Sequence, residues 1–310
     1  MKAKYTLQIL SLLFLTIGLA SCSREETVST DAPKEYNISL KFNGEITTTD
    51  LPLTRSTEPN DLIGVQVYQD NTAYAYGLFD NAEDININLF SDHKYKFVVT
   101  IIKDGKNLIT IGDSYYDIPF NMYLNNKFTY STTDKSVDFG IGNTRFSYTT
   151  TASRYPKADR FYGELDNYTP MANGSLAIDL KRTAFGLKYE VSGVSDGTIS
   201  VKISNTSQIF FENSTITADF QSEEEIFTFY DVYSAWLYAD NYTESITVTV
   251  SWARDVGIAQ DLGNKTVQIK RNAMNIIRLS LSSVDYEGNI GIEVEEETNM
   301  NEETVTGELK

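Results

Sequence analysis

From Tyr36 onward the chain alternates apolar and polar or small residues. The runs are Ile38/Leu40/Phe42, Ile63/Val65/Val67, Ile85/Ile87/Leu89, Phe185/Leu187/Tyr189/Val191, Ile199/Val201/Ile203, Ile246/Val248/Val250/Trp252, Val267/Ile269 and Ile277/Leu279/Leu281. A period of two places each set on one face of an extended strand, so these runs predict half-buried antiparallel strands. Tyr95 to Ile102 is more continuously apolar, as a central strand covered on both faces requires. Turn signals lie between the runs at Asp104-Gly105, Asn125-Asn126, Ser195-Asp196-Gly197 and Leu262-Gly263-Asn264. No segment holds a 3.6-residue period over three turns. The pattern predicts an all-β fold of sandwich architecture. Alternation weakens between Asn143 and Asn173 and resumes at Ser175, which places a boundary near residue 172, with an N-terminal domain over 36–172 and a C-terminal domain over 173–284.

The first residues carry a different pattern. A basic start, Met1-Lys2-Ala3-Lys4, is followed by an apolar run from Ile9 to Ala20 that is too short to span a bilayer, then by Leu19-Ala20-Ser21-Cys22. This resembles a bacterial lipoprotein signal over 1–21, with Ser21 in a slot where a small side chain suffices. The resemblance implies cleavage before Cys22 and acylation of its sulfur and freed amine; the alternative is a secretion signal with an incidental cysteine. Several acyl chains, each contributing about 0.8 kcal/mol per buried CH₂, hold a protein to a membrane without a transmembrane helix. Residues 22–35 then read as a solvated tether. Glu25-Glu26 behind the cysteine is similar to a surface-export signal of Bacteroidetes lipoproteins, and such a pair also arises by chance in linkers.

Composition narrows the chemistry. Of 310 residues, 41% are hydrophobic and 22% charged, which suits a folded chain with a core. With 26 Lys and Arg against 43 Asp and Glu the net charge is −17, and with no basic stripe a nucleic-acid partner is excluded as an expectation. There is one histidine and one cysteine. His93 lacks a second histidine for a zinc or iron site and sits in a turn, where solvation is the ordinary state. Cys22, if acylated, is no nucleophile. Asp80, Glu83 and Asp84 match no calcium-loop spacing, and no carboxylate pair stands out for glycoside hydrolysis. The expectation is therefore no enzyme, no metal and no cofactor.

Three segments carry a family resemblance. Thr54-Arg55-Ser56 followed by Asp61-Leu62-Ile63-Gly64-Val65 and Val67-Tyr68, then Leu180-Lys181-Arg182-Thr183-Ala184-Phe185-Gly186-Leu187, then Ile269-Lys270-Arg271-Asn272 leading into Ile276-Ile277-Arg278-Leu279, resemble fimbrillin-type surface lipoproteins of the Bacteroidetes in order and spacing. The resemblance implies two tandem transthyretin-like β-sandwich domains. It also implies a pilus subunit or a membrane anchor at the outer membrane, with other pilus subunits or host and bacterial surface proteins as partners. In the subunits a trypsin-like protease cuts after an arginine in an early loop and frees a groove for a neighbour's strand. Arg55 and Ser56 match that site, and otherwise Arg55 is a solvated surface arginine. A C-terminal segment is the donor in polymerising members. Here Ile290/Ile292/Val294 and Val305/Gly307/Leu309 alternate within 285–310, a stretch of nine acids and one lysine that reads equally as a mobile acidic tail.

The richest aromatic stretch runs from Phe227 through Phe229, Tyr230, Tyr233, Trp236 and Tyr238 to Tyr242. Trp236 and Tyr238 offer faces on which a sugar ring stacks, the mark of a glycan-binding surface lipoprotein of a polysaccharide-uptake system. The same residues suit a sandwich core and its edges, and twenty tyrosines spread along the chain suit a protein interface.

Overall fold

The structure is a computed structural model, and it describes residues 32–45, 60–108, 124–131, 157–193, 197–204, 208–212, 220–254, 260–280 and 291–297. The chain divides into two compact units, Met1–Lys34 and Glu35–Lys310. The second is all-β, as the alternation predicts.

The first eight strands are β1 (Glu35–Gly44), β2 (Leu62–Gln69), β3 (Thr72–Phe79), β4 (Asn86–Phe90), β5 (Tyr95–Ile102), β6 (Thr129–Tyr130), β7 (Arg160–Tyr168) and β8 (Gly174–Arg182). They hydrogen-bond in the order β4-β1-β8-β7-β5-β2-β3-β6. Strands β7 and β8 share only the pairs Phe161/Arg182 and Tyr162/Lys181. The sheet folds over at that corner without its end strands pairing: Ile38, Leu40, Ile87 and Ile178 from one side share a buried core with Val65, Phe97 and Val99 from the other. At Gly163 of β7 a Cβ would stand 2.3 Å from the Asp179 carbonyl oxygen of β8, so only glycine permits this close approach.

The second set comprises β9 (Ala184–Ser192), β10 (Thr198–Ile203), β11 (Gln208–Glu212), β12 (Phe220–Thr228), a short helix α1 (Val232–Leu237), β13 (Thr243–Ala253), β14 (Gln260–Lys270), β15 (Met274–Ser280) and β16 (Gly291–Glu297). Two four-stranded sheets, β11-β10-β13-β14 and β12-β9-β15-β16, face each other. Phe185, Tyr189, Val201, Phe227, Val248, Trp252 and Ile277 fill the space between them. Truncating such a buried phenylalanine costs about 3–5 kcal/mol, so these rings anchor the second sandwich.

Strand β5 is covered on both faces, as its continuous apolar run predicts. Phe97, Val99 and Ile101 point into the first core, while Val98 and Ile102 join Leu62, Tyr162 and Val232 in a separate cluster. Strand β2 differs from its expectation as a half-buried strand, because Leu62 and Gln66 on its second face are also buried. Helix α1 supplies part of that cover. Two strand pairs, β1 with β8 and β9 with β15, are parallel rather than antiparallel. Parallel neighbours need long connections, and alternation within a strand carries no record of its partner's direction. Strands β2 and β3 are joined by Asp70 and Asn71, both at positive φ (48° and 68°), the backbone of a tight two-residue hairpin.

Candidate functional site

Cys22, Arg55 and Ser56 lie outside the described residues, as do the signal segment and most of 285–310. The structure describes what lies on either side of the Arg55 loop: β1 before it and β2 after it.

Strand β1 is amphipathic. Ile38, Leu40 and Phe42 are buried in the first core, while Lys41 and Asn43 are exposed. It pairs antiparallel with β4 from Glu35/Phe90 to Ser39/Asn86 and parallel with β8 from Ile38/Gly174 to Gly44/Leu180. Asn37 adds side-chain bonds on both flanks, its amide N–H to Asn173 Oδ1 (2.8 Å) and its Nδ2 to Asn88 Oδ1 (2.8 Å). Withdrawing β1 would leave two strands with unpaired edges and uncover a slot for three side chains, each worth about 1.5–3 kcal/mol of burial. At its end Gly44 takes φ +101°, and a Cβ there would meet the Leu180 carbonyl oxygen at 2.3 Å. The chain can therefore turn tightly and deliver Glu45 inward.

Glu45 enters a cluster of charges between the two sandwiches. Arg271, in the turn between β14 and β15, donates from both terminal nitrogens to the Glu45 carboxylate at 2.5 and 2.7 Å. The Arg182 amide N–H donates to the same carboxylate at 2.7 Å. Arg271 also donates to the carbonyls of Arg182 (2.6 Å) and Ala239 (2.8 Å), and its side chain is 3% exposed. Arg182 in turn pairs in two-pronged fashion with Asp159 at 2.7 and 2.6 Å and lies over the Phe161 ring. Two guanidinium groups and two carboxylates thus neutralise each other where water is largely excluded, the condition under which buried charge is tolerated. Glu45 and Asp159 were not singled out in the sequence. Arg182 and Arg271 stood in separate resemblance segments, and the fold brings those segments together.

The aromatic stretch divides between two environments. Phe227 and Phe229 belong to the second core, with Tyr242 packed against it. Asp231 caps α1 by accepting from the Ser234 amide (2.9 Å) and hydroxyl (2.8 Å), which starts a helix where no helical period was visible. The helix turns Val232 and Trp236, four residues apart, onto the outer face of the first sandwich. Trp236 meets Tyr162 edge-on at 5.8 Å, and the Tyr233 ring is tilted 47° from it. These rings make no coplanar platform. Tyr238, at 60%, is the most exposed of the group, beside Tyr230, Tyr233 and Leu237.

The remaining polar candidates are engaged by the protein itself. Burial acts to raise the Asp80 carboxyl, but Lys106 Nζ (2.9 Å) and Asn126 Nδ2 (2.8 Å) outweigh it and hold its pKa below the ordinary value. Among the described residues no group of three or more His, Cys, Asp or Glu side chains is placed to hold a metal ion. His93 Nδ1 lies 2.5 Å from Asp70 Oδ2 in the turn before β5. The Lys94 amide and then His93 hold the Asp70 carboxyl below its ordinary 3.8. A pKa depressed in the folded state contributes stability above the unfolded value that is lost as pH falls through the folded one. Asp70→Asn should therefore flatten the decline in melting temperature between about pH 5 and pH 2. A decline unchanged from wild type would contradict that role.

No protein-family model and no curated protein sequence matches the chain. Solved structures do match over most of their length. A candidate cell adhesion protein from Bacteroides eggerthii aligns at 9% identity with a TM-score of 0.44, covering 85% of this chain and 95% of its own. The fimbrial anchor protein Mfa2 of Porphyromonas gingivalis aligns at 8% identity and TM-score 0.40, covering 86% and 97%. The tip fimbrial protein Mfa3 of the same organism, truncated at its C-terminus, aligns at 8% and 0.36, covering 85% and 99%. All three come from Bacteroidetes, and two of them are fimbrial proteins.

Proposed function

We propose that this protein is a fimbrillin-like component of the bacterial cell surface, a non-enzymatic adhesin or pilus protein held at the outer membrane through acylated Cys22. The lipid holds the uncut chain, as in an anchor; in a subunit, a cut between Arg55 and Ser56 releases β1 together with Cys22 and its lipid, and a neighbouring subunit adds a strand in its place. The observation that supports it is the position of β1. It is an amphipathic strand clasped between β4 and β8, with three core side chains, and the Arg55 loop joins it to the rest of the chain. One cut after Arg55 separates the strand covalently from β2 and everything that follows it. An extended segment of alternating pattern then satisfies both edges and refills the core. The first residues support the anchor and the acidic body supports solubility close to an anionic surface.

Two experiments bear on the parts. Cys22→Ala should move the protein from the detergent phase to the aqueous phase on Triton X-114 partition of whole cells; retention in the detergent phase would sink the anchor. The exposed rings support a second reading, contact with sugar rings at Tyr238 and its neighbours. Tyr238→Ala together with Tyr233→Ala should then abolish retention on immobilised bacterial or mucosal glycans, and retention equal to wild type would remove that reading.

A further inference from the structure

We infer that the outward side of α1 and the turn after it form a docking surface for an arginine-bearing segment of another protein, with Tyr233 and Tyr238 as stacking faces and Asp240 as the counter-charge. It needs neither the cut at Arg55 nor the exchange of β1.

Large apolar side chains are not spread evenly over the surface. Of the seven that are exposed among the described residues, four lie within residues 230–238: Tyr230, Tyr233, Leu237 and Tyr238, at 47%, 47%, 45% and 60%. A lone exposed ring needs no explanation, but such a concentration marks a contact surface. The helix holds it ready. Val232 and Trp236 fix one side of α1 to the first sandwich and Asp231 caps its first turn, so Tyr233 and Leu237, also four residues apart, are displayed together on an open side. The backbone beneath them is already ordered, so docking costs little there.

Charge selects among the occupants. Residues 203–253 hold eight Asp and Glu and no Lys, Arg or His. Asp240, two residues past Tyr238, has a side chain 96% exposed, with one oxygen 3.9 Å from Arg271. Lys181 and Arg271 reach this region from elsewhere in the chain, and both are engaged: Lys181 Nζ donates to the Trp236 carbonyl at 3.4 Å, and Arg271 donates to Glu45 and two carbonyls. A second copy of the chain would bring the same acids to the same place and meet repulsion, as would an anionic membrane. A sugar ring suits a flat aromatic floor, and the Tyr233 and Trp236 rings are tilted 47° apart. A guanidinium asks for less. It stacks on a single tyrosine face while its edge donates to a carboxylate, a pairing that the compact ammonium of lysine matches less well.

The test uses the full mature chain, uncut, with fluorescein-labelled tetra-arginine and tetra-lysine peptides of equal charge, read by anisotropy at physiological salt. The arginine peptide should bind about fivefold more tightly than the lysine peptide, from stacking on two exposed rings. Tyr233→Ala together with Tyr238→Ala should erase that preference, and Asp240→Asn should weaken binding of the arginine peptide. Tyr130→Ala, at an exposed ring elsewhere, should change neither. An unchanged melting temperature of the double tyrosine variant checks that the fold is kept. Equal binding of the two peptides, or a preference that survives the double variant, would show attraction to the acidic body alone and overturn the inference. Binding of neither peptide would overturn it as well. Retention on immobilised neutral glycans that the double variant loses, with no arginine preference, would overturn it and give the surface to sugars.

Discussion

Glu45→Ala should destabilise the folded protein by about 3 kcal/mol, an unusually large cost for a residue outside any strand. The lost contacts are few; the cost comes from what stays behind. Arg271 keeps its charge, two carbonyls and 3% exposure, and its one remaining carboxylate is that of Asp240, 3.9 Å away and 96% exposed, where solvent screens it. Arg271→Met should cost less, because Glu45 is 26% exposed and can turn to water. The double variant should be more stable than the sum of the two single losses predicts, since neither charge is then stranded. Urea denaturation followed by circular dichroism reads all three. A Glu45→Ala loss below about 1 kcal/mol, in the range of exposed ion pairs, would show that the pair is solvated.

Val232→Asp should be the most damaging change in the aromatic stretch, costing at least about 3 kcal/mol by placing an unpaired carboxylate among apolar side chains. Val232 is 1% exposed and packs with Leu62, Leu78, Val98, Ile102 and Tyr162. Its helix carries Trp236 onto Tyr162, so undocking the helix should also hydrate that indole. The chain has two tryptophans, and Trp252 is buried in the second core, so a red shift in emission before the main unfolding transition reports on Trp236. Tyr238→Ala, at a site 60% exposed, should change stability by less than about 0.5 kcal/mol. Unchanged emission in Val232→Asp would mean that α1 does not hold the face it covers.

Helix α1 also explains where the sequence was legible and where it was not. The alternating runs became strands β1, β2, β4, β9, β10, β13, β14 and β15; each has one apolar face on a core, and in all but β2 the other face is more open. Strand β7 escaped notice because the rule that found the others fails there. Phe161 faces the first core while Tyr162 faces the cluster that α1 covers, so both faces carry aromatic residues and alternation disappears. Strand β3, Thr-Ala-Tyr-Ala-Tyr-Gly-Leu-Phe, hid its pattern in small residues: Ala73 and Ala75 are buried, and Tyr74 and Tyr76 are only partly so. In β8 the alternation reads the same whichever core it joins. Its pairing with β1 is a property of the whole fold.

The candidate site was legible in pieces. Arg182 and Arg271 stood out as members of short segments, with nothing to say that they meet. Their meeting depends on the parallel pairing of β1 with β8 and of β9 with β15, and on the turn at Gly44, none of which leaves a local mark. Glu45 lay in a polar loop among other polar residues. A buried acid is invisible in sequence until its basic partners are located, and here one partner is 137 and the other 226 residues away.

The most direct test of the account treats the purified mature chain with an arginine-specific protease and follows the products by unboiled gel electrophoresis and N-terminal sequencing. A new N-terminus at Ser56 and a ladder of SDS-resistant oligomers that appears only after the cut are expected. A folded chain that resists cutting at Arg55, or one that is cut there and remains monomeric, would contradict it.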